Sequence, residues 1–351
     1  MQTTEIEIAV IEAVKIGSAT SPLGLNRTVA VVDHCEQPKA GDVVVVRALT
    51  ESVTYGQLEL PTGRLAKINP GDVLIGVLGR RRALKGFVGD VPESVKAGDK
   101  LHLLNMGGVV GVCRGHHSSL SDAIQLEVIG LACDENGKVL NIADNSLKPC
   151  DKLDQTAPLV LVAGTCMNSG KTFAATELIK RATHAGLRVA AAKLSGVACL
   201  RDTLHMQDHG AIETASFLDC GLPSTVGIDS LAPFAKAIIN RLNEVEPDLI
   251  VIELGDGILG GYSVDSVFED EQLREATAAL VFCASDYVGA WGGVELFKKR
   301  GISIDVIAGS VTDSQMGEDY IQQEFGVPAG NARRDGARLF SIVNDKLKKV
   351  A

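Results

Sequence analysis

The chain reads as an α/β protein in two parts: a C-terminal parallel sheet with helices on both faces, preceded by a β-rich, barrel-like domain. Three observations predict this. Residues 1 to about 145 carry short β-branched runs set between Gly, Pro and Asp turns. Beyond a polar stretch with two prolines, aliphatic runs instead alternate with helical patterns, the signature of strands joined by helical crossovers. The first of these runs, Leu159-Val160-Leu161-Val162-Ala163, passes directly into Gly164-Thr165-Cys166-Met167-Asn168-Ser169-Gly170-Lys171-Thr172, a glycine-bounded loop that opens a helix.

In the first part, Ile6-Glu-Ile8-Ala-Val10 alternates, while Thr28 to Val32 and Val43 to Val46 are β-branched runs. An internal echo recurs about every thirty residues: Lys39-Ala-Gly41-Asp42, Asn69-Pro-Gly71-Asp72 and Lys96-Ala-Gly98-Asp99 each precede an apolar strand. Unequal segments between the echoes suit a small closed barrel better than a solenoid. Asp134-Glu-Asn136-Gly137 marks a hairpin. The domains are placed at 1–147 and 159–351, with 148–158 as linker.

Past the linker, helices are expected from Lys171, over about Asp208 to Leu218, from an Asp229-Ser230 cap to Val245, and from near Gly292. Strands are expected at Arg188 to Lys193, Leu249 to Glu253, Ala278 to Cys283 and Ile302 to Ala308. Ligands in such a sheet sit at the C-terminal strand ends.

Those ends carry the chemistry. The loop is a P-loop: Gly164, Thr165, Asn168, Ser169, Gly170, Lys171 and Thr172 are the candidate phosphate contacts, because turned backbone amides, a helix N-terminus and a mobile ammonium all favour an anion. Thr172 can hold Mg²⁺. Glu253 closes an aliphatic strand, where a carboxylate reaches that metal, and Asp256 is its alternate. Lys193 ends the second strand.

Five residues separate Gly164 from Gly170, one more than the usual Walker A pattern. The resulting Gly-Thr-x-x-x-x-Gly-Lys-Thr resembles the loop of dethiobiotin synthetase and its relatives, the cobyrinate amidases and the accessory NTPase of molybdopterin-guanine-dinucleotide synthesis. That resemblance spans about residues 158 to 310. It implies that Lys171 and Lys193 are catalytic, Lys193 serving substrate and γ-phosphate, and that Thr172, Glu253 and a third acidic residue bind Mg²⁺. Asp208 best matches the third, with Asp202 as rival. Where the family has Val-Glu-Gly-x-Gly, this chain inserts Leu254 before Gly255-Asp256-Gly257. The family's base-contacting Asn has no counterpart at Gly309 to Asp313.

The expected activity is Mg-ATP-dependent phosphoryl transfer or activation of a small substrate. One alternative is a coenzyme A-dependent N-acetyltransferase, since a bacterial P-loop family that includes D-glutamate N-acetyltransferases has a similar loop. The other is a nucleotide-gated accessory protein. Asp202, His205 and His209 share a helical face that could bind a transition metal, and Cys113, His116 and His117, with His34 and Cys35 as remote partners, have metal-ligand residue types.

Composition narrows the partners. A net charge of −10 argues against nucleic acid, and the basic cluster Arg80-Arg81-Arg82 with Lys85 is a local strand end or an anionic-partner contact. No run of eighteen apolar residues occurs and the start is acidic, so neither a membrane span nor a signal peptide is expected, and the cytoplasm is the default. Eight cysteines without paired spacing read as reduced thiols. A homodimer or higher homo-oligomer is the expected assembly.

Overall fold

The computed structural model describes residues 8–350, so Ile6 and the acidic start lie outside the described residues. The chain divides into two units. One comprises the chain up to Leu147 together with Val197–Arg201 and Phe217–Val226; the other comprises Lys148–Gly196, Asp202–Ser216 and the chain from Gly227. The C-terminal part is therefore interrupted by two short segments that belong with the N-terminal unit.

In the first unit five strands close a ring: β1 (Val43–Ala48), β2 (Val73–Leu78), β3 (Lys100–Asn105), β4 (Val109–His116) and β5 (Gln125–Cys133). β5 pairs with β1, β1 with β2, β2 with β4, β4 with β3 and β3 with β5, only β2 and β4 being parallel. Val44 and Val46 enter one apolar cluster with Leu74, Leu103, Leu126 and Val128. Val43 and Val45 enter another with Ala19, Ile75 and Val77. The four-valine run is thus buried on both faces, which is why it shows no polar alternation.

The three Gly-Asp echoes are three copies of one turn. Gly41, Gly71 and Gly98 have φ of 92°, 91° and 89°. Each following aspartate accepts from the backbone N–H three residues earlier, at 2.7 Å for Asp42, 2.7 Å for Asp72 and 2.9 Å for Asp99. They lead directly into β1, β2 and β3. Glycine supplies the left-handed backbone and the carboxylate caps the turn.

The second unit holds a six-stranded sheet: β6 (Leu159–Gly164), β7 (Val189–Ser195), β8 (Glu213–Ser216), β9 (Leu249–Leu254), β10 (Thr277–Cys283) and β11 (Val306–Ala308), in the order β8-β7-β9-β6-β10-β11 with every pairing parallel. Its helices are α1 (Lys171–His184), α2 (Arg201–Asp208), α3 (Ala232–Asn243), α4 (Asp265–Glu269), α5 (Glu271–Ala276), α6 (Tyr287–Lys299), α7 (Gln315–Phe325) and α8 (Gly336–Val350). Ala174, Leu178 and Ile179 of α1 and Leu339 and Val343 of α8 join Val160, Val162, Val251 and Val281 in one core. Phe282, on the alternate register, meets Phe297 of α6 edge-on.

Three expected elements differ. The helix expected from Asp208 to Leu218 ends at Asp208 instead, because Gly210 turns the chain at φ 104° and Thr214-Ala215-Ser216 pair as β8. The helix expected near Gly292 begins at Tyr287, where the Asp286 side chain accepts from Gly289 N–H as its cap. The last strand is only Val306–Ala308. Among the described residues no helix is long and apolar enough to cross a membrane.

Candidate functional site

The loop between β6 and α1 is shaped by backbone conformations that few residues adopt. Asn168 has φ 63° and Gly170 φ 104°. A Cβ on Gly170 would come within 2.9 Å of the Gly309 Cα, and one on Gly309 would overlap the Ser169 carbonyl, so the turn after β11 is packed against the loop glycine to glycine. On the other side Thr165 N–H donates to the Cys283 carbonyl at 3.0 Å, tying the loop to the end of β10. Burial pushes the Cys283 thiol up to about 12, so it stays protonated and unreactive there.

Lys171 is 5% exposed, and its ammonium lies within the loop, donating to the Cys166 carbonyl at 2.7 Å and to Ser169 Oγ at 3.4 Å. Burial depresses its pKa below the ordinary lysine value, with Glu253 acting in the opposite sense. The segment from Gly164 to Thr172 contains no carboxylate of its own.

Neighbouring strand ends supply the rest. Lys193 of β7 and Glu253 of β9 are register partners across parallel strands, which sets both at the same level of the sheet. The Lys193 ammonium pairs with Asp202 at the start of α2 and stands 3.6 Å from Glu253 Oε1. Thr172 Oγ1 donates to that same Glu253 oxygen at 3.0 Å. Glu253 is 2% exposed, and its other oxygen, Oε2, is buried with no hydrogen-bond partner. A hydroxyl and a carboxylate with an unsatisfied buried oxygen are a hard-oxygen pair that suits Mg²⁺.

Thr172, Glu253, Lys171 and Lys193 are therefore brought together as their residue types require. Asp208 is not: it sits exposed at the far end of α2, while Asp202, six residues earlier, reaches Lys193. The two differ because six residues of helix are neither one nor two whole turns, so they project from different faces. The transition-metal groupings also fail to form. His205 and His209 stack edge to face at 4.5 Å while Asp202 is engaged with Lys193. His116 pairs with Asp122 and His117 with Ser119. Among the described residues no three His, Cys, Asp or Glu side chains converge as a metal site.

Sequence reasoning missed several contributors. Ser285, just past β10, lies 3.4 Å from the Thr165 hydroxyl. Asn331, twenty residues beyond the turn where an Asn was sought, donates to Thr312 Oγ1 and to Asp313 Oδ1. Arg333 stacks on Phe173 at 4.1 Å. No local motif announces these; the signal would have been long-range. In the first unit, Arg81 of the basic cluster points inward, its guanidinium donating to the Leu104 carbonyl and the Tyr55 hydroxyl.

No family model matches this chain, and no curated protein matches it. Among solved structures it is similar to chloroplast FtsY from Physcomitrella patens at 13% identity, covering 54% of this chain and 66% of that one, with a TM-score of 0.38. A DUF1611 family protein from Anabaena variabilis is similar at 16% identity over 57% and 63%, TM-score 0.39. Signal recognition particle 54 kDa protein from Aeropyrum pernix, solved in complex with GDP, is similar at 16% identity over 60% and 52%, TM-score 0.37. The chain spans just under two thirds of the length of the first two. The P-loop form of Gly164 to Thr172 rests on its own strand, turn and helix.

Proposed function

We propose that the second unit is a Mg²⁺-dependent nucleotide enzyme that transfers or uses the γ-phosphoryl group of ATP to activate a small acceptor, on a parallel sheet covered by helices on both faces. The reading places it nearest the dethiobiotin-synthetase type among P-loop proteins. The observation that carries it is the Thr172–Glu253 hydrogen bond with Glu253 Oε2 buried and unsatisfied, one strand away from two lysines. Mg²⁺ on these oxygens would offset phosphate charge and polarise the bond to the leaving diphosphate. Lys171, already desolvated inside the loop, exchanges its carbonyl partner at Cys166 for phosphate oxygens. Lys193, held by Asp202, would serve the γ-phosphate and the acceptor. Catalysis of this kind is mostly positioning and charge compensation. Nucleotide and a small molecule are the proposed ligands, with no role for nucleic acid or membrane and a homo-oligomer as the proposed assembly.

Isothermal titration with ATP, GTP and coenzyme A, each with and without Mg²⁺, tests this directly. Tight binding of ATP that requires Mg²⁺ and is lost in Lys171→Ala is expected. Preference for GTP would correct the nucleotide, and Mg²⁺-independent binding of coenzyme A would replace the reading with an acyl transferase. No binding of any of the three would overturn it.

A further inference from the structure

Arg81 carries a buried charge that no carboxylate answers among the described residues. It lies on the short strand Arg81–Arg82, paired with Phe87–Asp90 in the first unit, and is 5% exposed. Arginine is rarely buried this deeply unless it is paired. Here both partners are neutral: Nη1 donates to the Leu104 carbonyl, and Nη2 to the Tyr55 hydroxyl at 2.7 Å. Nε is buried with no hydrogen-bond partner. Asp90, on the paired strand, is taken by Arg82 and Arg114, and Asp122 by His116. A desolvated guanidinium with one N–H unsatisfied is costly to keep unless something supplies the missing anion.

The surroundings narrow what that anion is. Nε and Nη2 form one edge of the guanidinium, and such an edge receives a carboxylate through two parallel N–H···O bonds. Tyr55 puts a neutral oxygen on one end of this edge and lays its ring 4.8 Å from the guanidinium carbon. The walls are apolar and close. The fully buried Phe87 ring stands 5.5 Å from that of Tyr55, and a Cβ on Gly86 would come within 2.9 Å of Nη2. A planar monoanion on an apolar stem suits these walls, whereas a phosphate would bring a second charge that nothing there offsets. Exposed Arg80 and Lys85, either side of Arg81 in sequence, add positive potential in a chain of net charge −10.

We propose that Arg81 anchors a binding site for a small organic carboxylate in the first unit, with Tyr55 as a neutral plug that the ligand displaces. One carboxylate oxygen replaces the Tyr55 hydroxyl on Nη2, and the other accepts from Nε. Tyr55 is half-buried, on a segment whose Val53 is 98% exposed, so its ring is a surface cover that turns aside while the barrel stays closed. The site lies wholly within the first unit and is independent of the nucleotide reading.

The experiment titrates the full chain with sodium benzoate and with inorganic phosphate by calorimetry at fixed ionic strength, for wild type, Arg81→Gln and Tyr55→Phe. Millimolar benzoate binding by wild type, lost in Arg81→Gln, is expected. Tyr55→Phe removes the oxygen of the plug and keeps its ring, so benzoate should bind about threefold tighter or more, the plug no longer competing for the edge. A merely structural contact between Arg81 and Tyr55 would not give that gain, and the gain can be read even if Arg81→Gln fails to fold. No benzoate binding by wild type or Tyr55→Phe overturns the inference, as does equal binding by the two. Binding retained in a folded Arg81→Gln would place the anion elsewhere and overturns it too. Phosphate binding that needs Arg81 and exceeds that of benzoate would overturn the carboxylate assignment.

Discussion

The barrel and the phosphate loop solve the same local problem with opposite electrostatics. Each barrel turn uses a left-handed glycine and then brings its own anion: Asp42, Asp72 and Asp99 accept backbone N–H groups three residues back. The loop from Gly164 to Thr172 also uses left-handed backbone, at Asn168 and Gly170, but carries a cation, Lys171, and no carboxylate. A turn that contains its counter-charge is finished on folding. One that contains only the positive half is built to receive a ligand. The side chain beside the left-handed glycine thus differs in sign between the two, aspartate in the barrel turns and lysine in the loop.

The sharpest test of that contrast is Lys171→Met. Nucleotide affinity should fall by about 100-fold or more, roughly 2.8 kcal/mol, in a titration with Mg-ATP. The apo melting temperature should not fall, because the lost ammonium is desolvated. A large drop in melting temperature would make the lysine a structural cap like the aspartates.

Glycine substitutions separate the turns next. Gly170→Ala adds left-handed strain to a close approach on Gly309 and should cost roughly 2–4 kcal/mol in denaturant unfolding. Gly98→Ala meets nothing within 4 Å and should cost only the backbone term, about 1–2 kcal/mol. Equal costs would erase the distinction.

Glu253→Gln tests the metal side. The variant should still bind nucleotide, but adding Mg²⁺ should no longer tighten binding as it does in wild type, with a loss of about tenfold or more of the Mg²⁺ effect read by titration at fixed ionic strength. A Mg²⁺ effect equal to wild type would remove Glu253 from the metal site.

The smallest effect belongs to the barrel. Burial works to raise the Asp72 pKa, but Lys15 and the Asn69 amides outweigh it and hold the carboxyl below 3.8. Its folded pKa lies under the unfolded one, so the stabilisation is present above pH 3.8 and is lost as the pH falls through the folded value. Asp72→Asn should cost about 1 kcal/mol at neutral pH and flatten the acid limb of a melting-temperature profile. An unchanged acid limb would assign that limb to other carboxylates.

The features legible in the sequence were the local ones. The phosphate loop, the aliphatic strands and the three Gly-Asp turns each depend on residues within a few positions of one another, and period and spacing carry that information. Lys193 and Glu253 were legible because each stands where an aliphatic run stops, although the strands themselves run on, β7 to Ser195 and β9 to Leu254. The choice between Asp202 and Asp208 was not, since it turns on where α2 begins and ends, and Gly210 reads as easily as a mid-helix glycine as a stop. β8 is four residues long and only one of them, Ala215, is apolar, so its pairing with β7 decides it rather than its composition. Asn331 reaches the turn after β11, Arg333 stacks on Phe173 in the first turn of α1, and Arg81 turns inward against Tyr55; none of the three leaves a periodic trace.

The double interruption of the second unit bears on how this protein can be taken apart. Val197–Arg201 and Phe217–Val226 belong with the N-terminal unit, where Ala198, Phe217 and Leu218 share a core cluster with Val45 and Ile75. A gene fragment beginning at Lys148 would carry those apolar side chains without the valines that cover them. Such a fragment would tend to aggregate, and the barrel expressed alone would lack part of its own core. Recombination could not trade either half as a cassette.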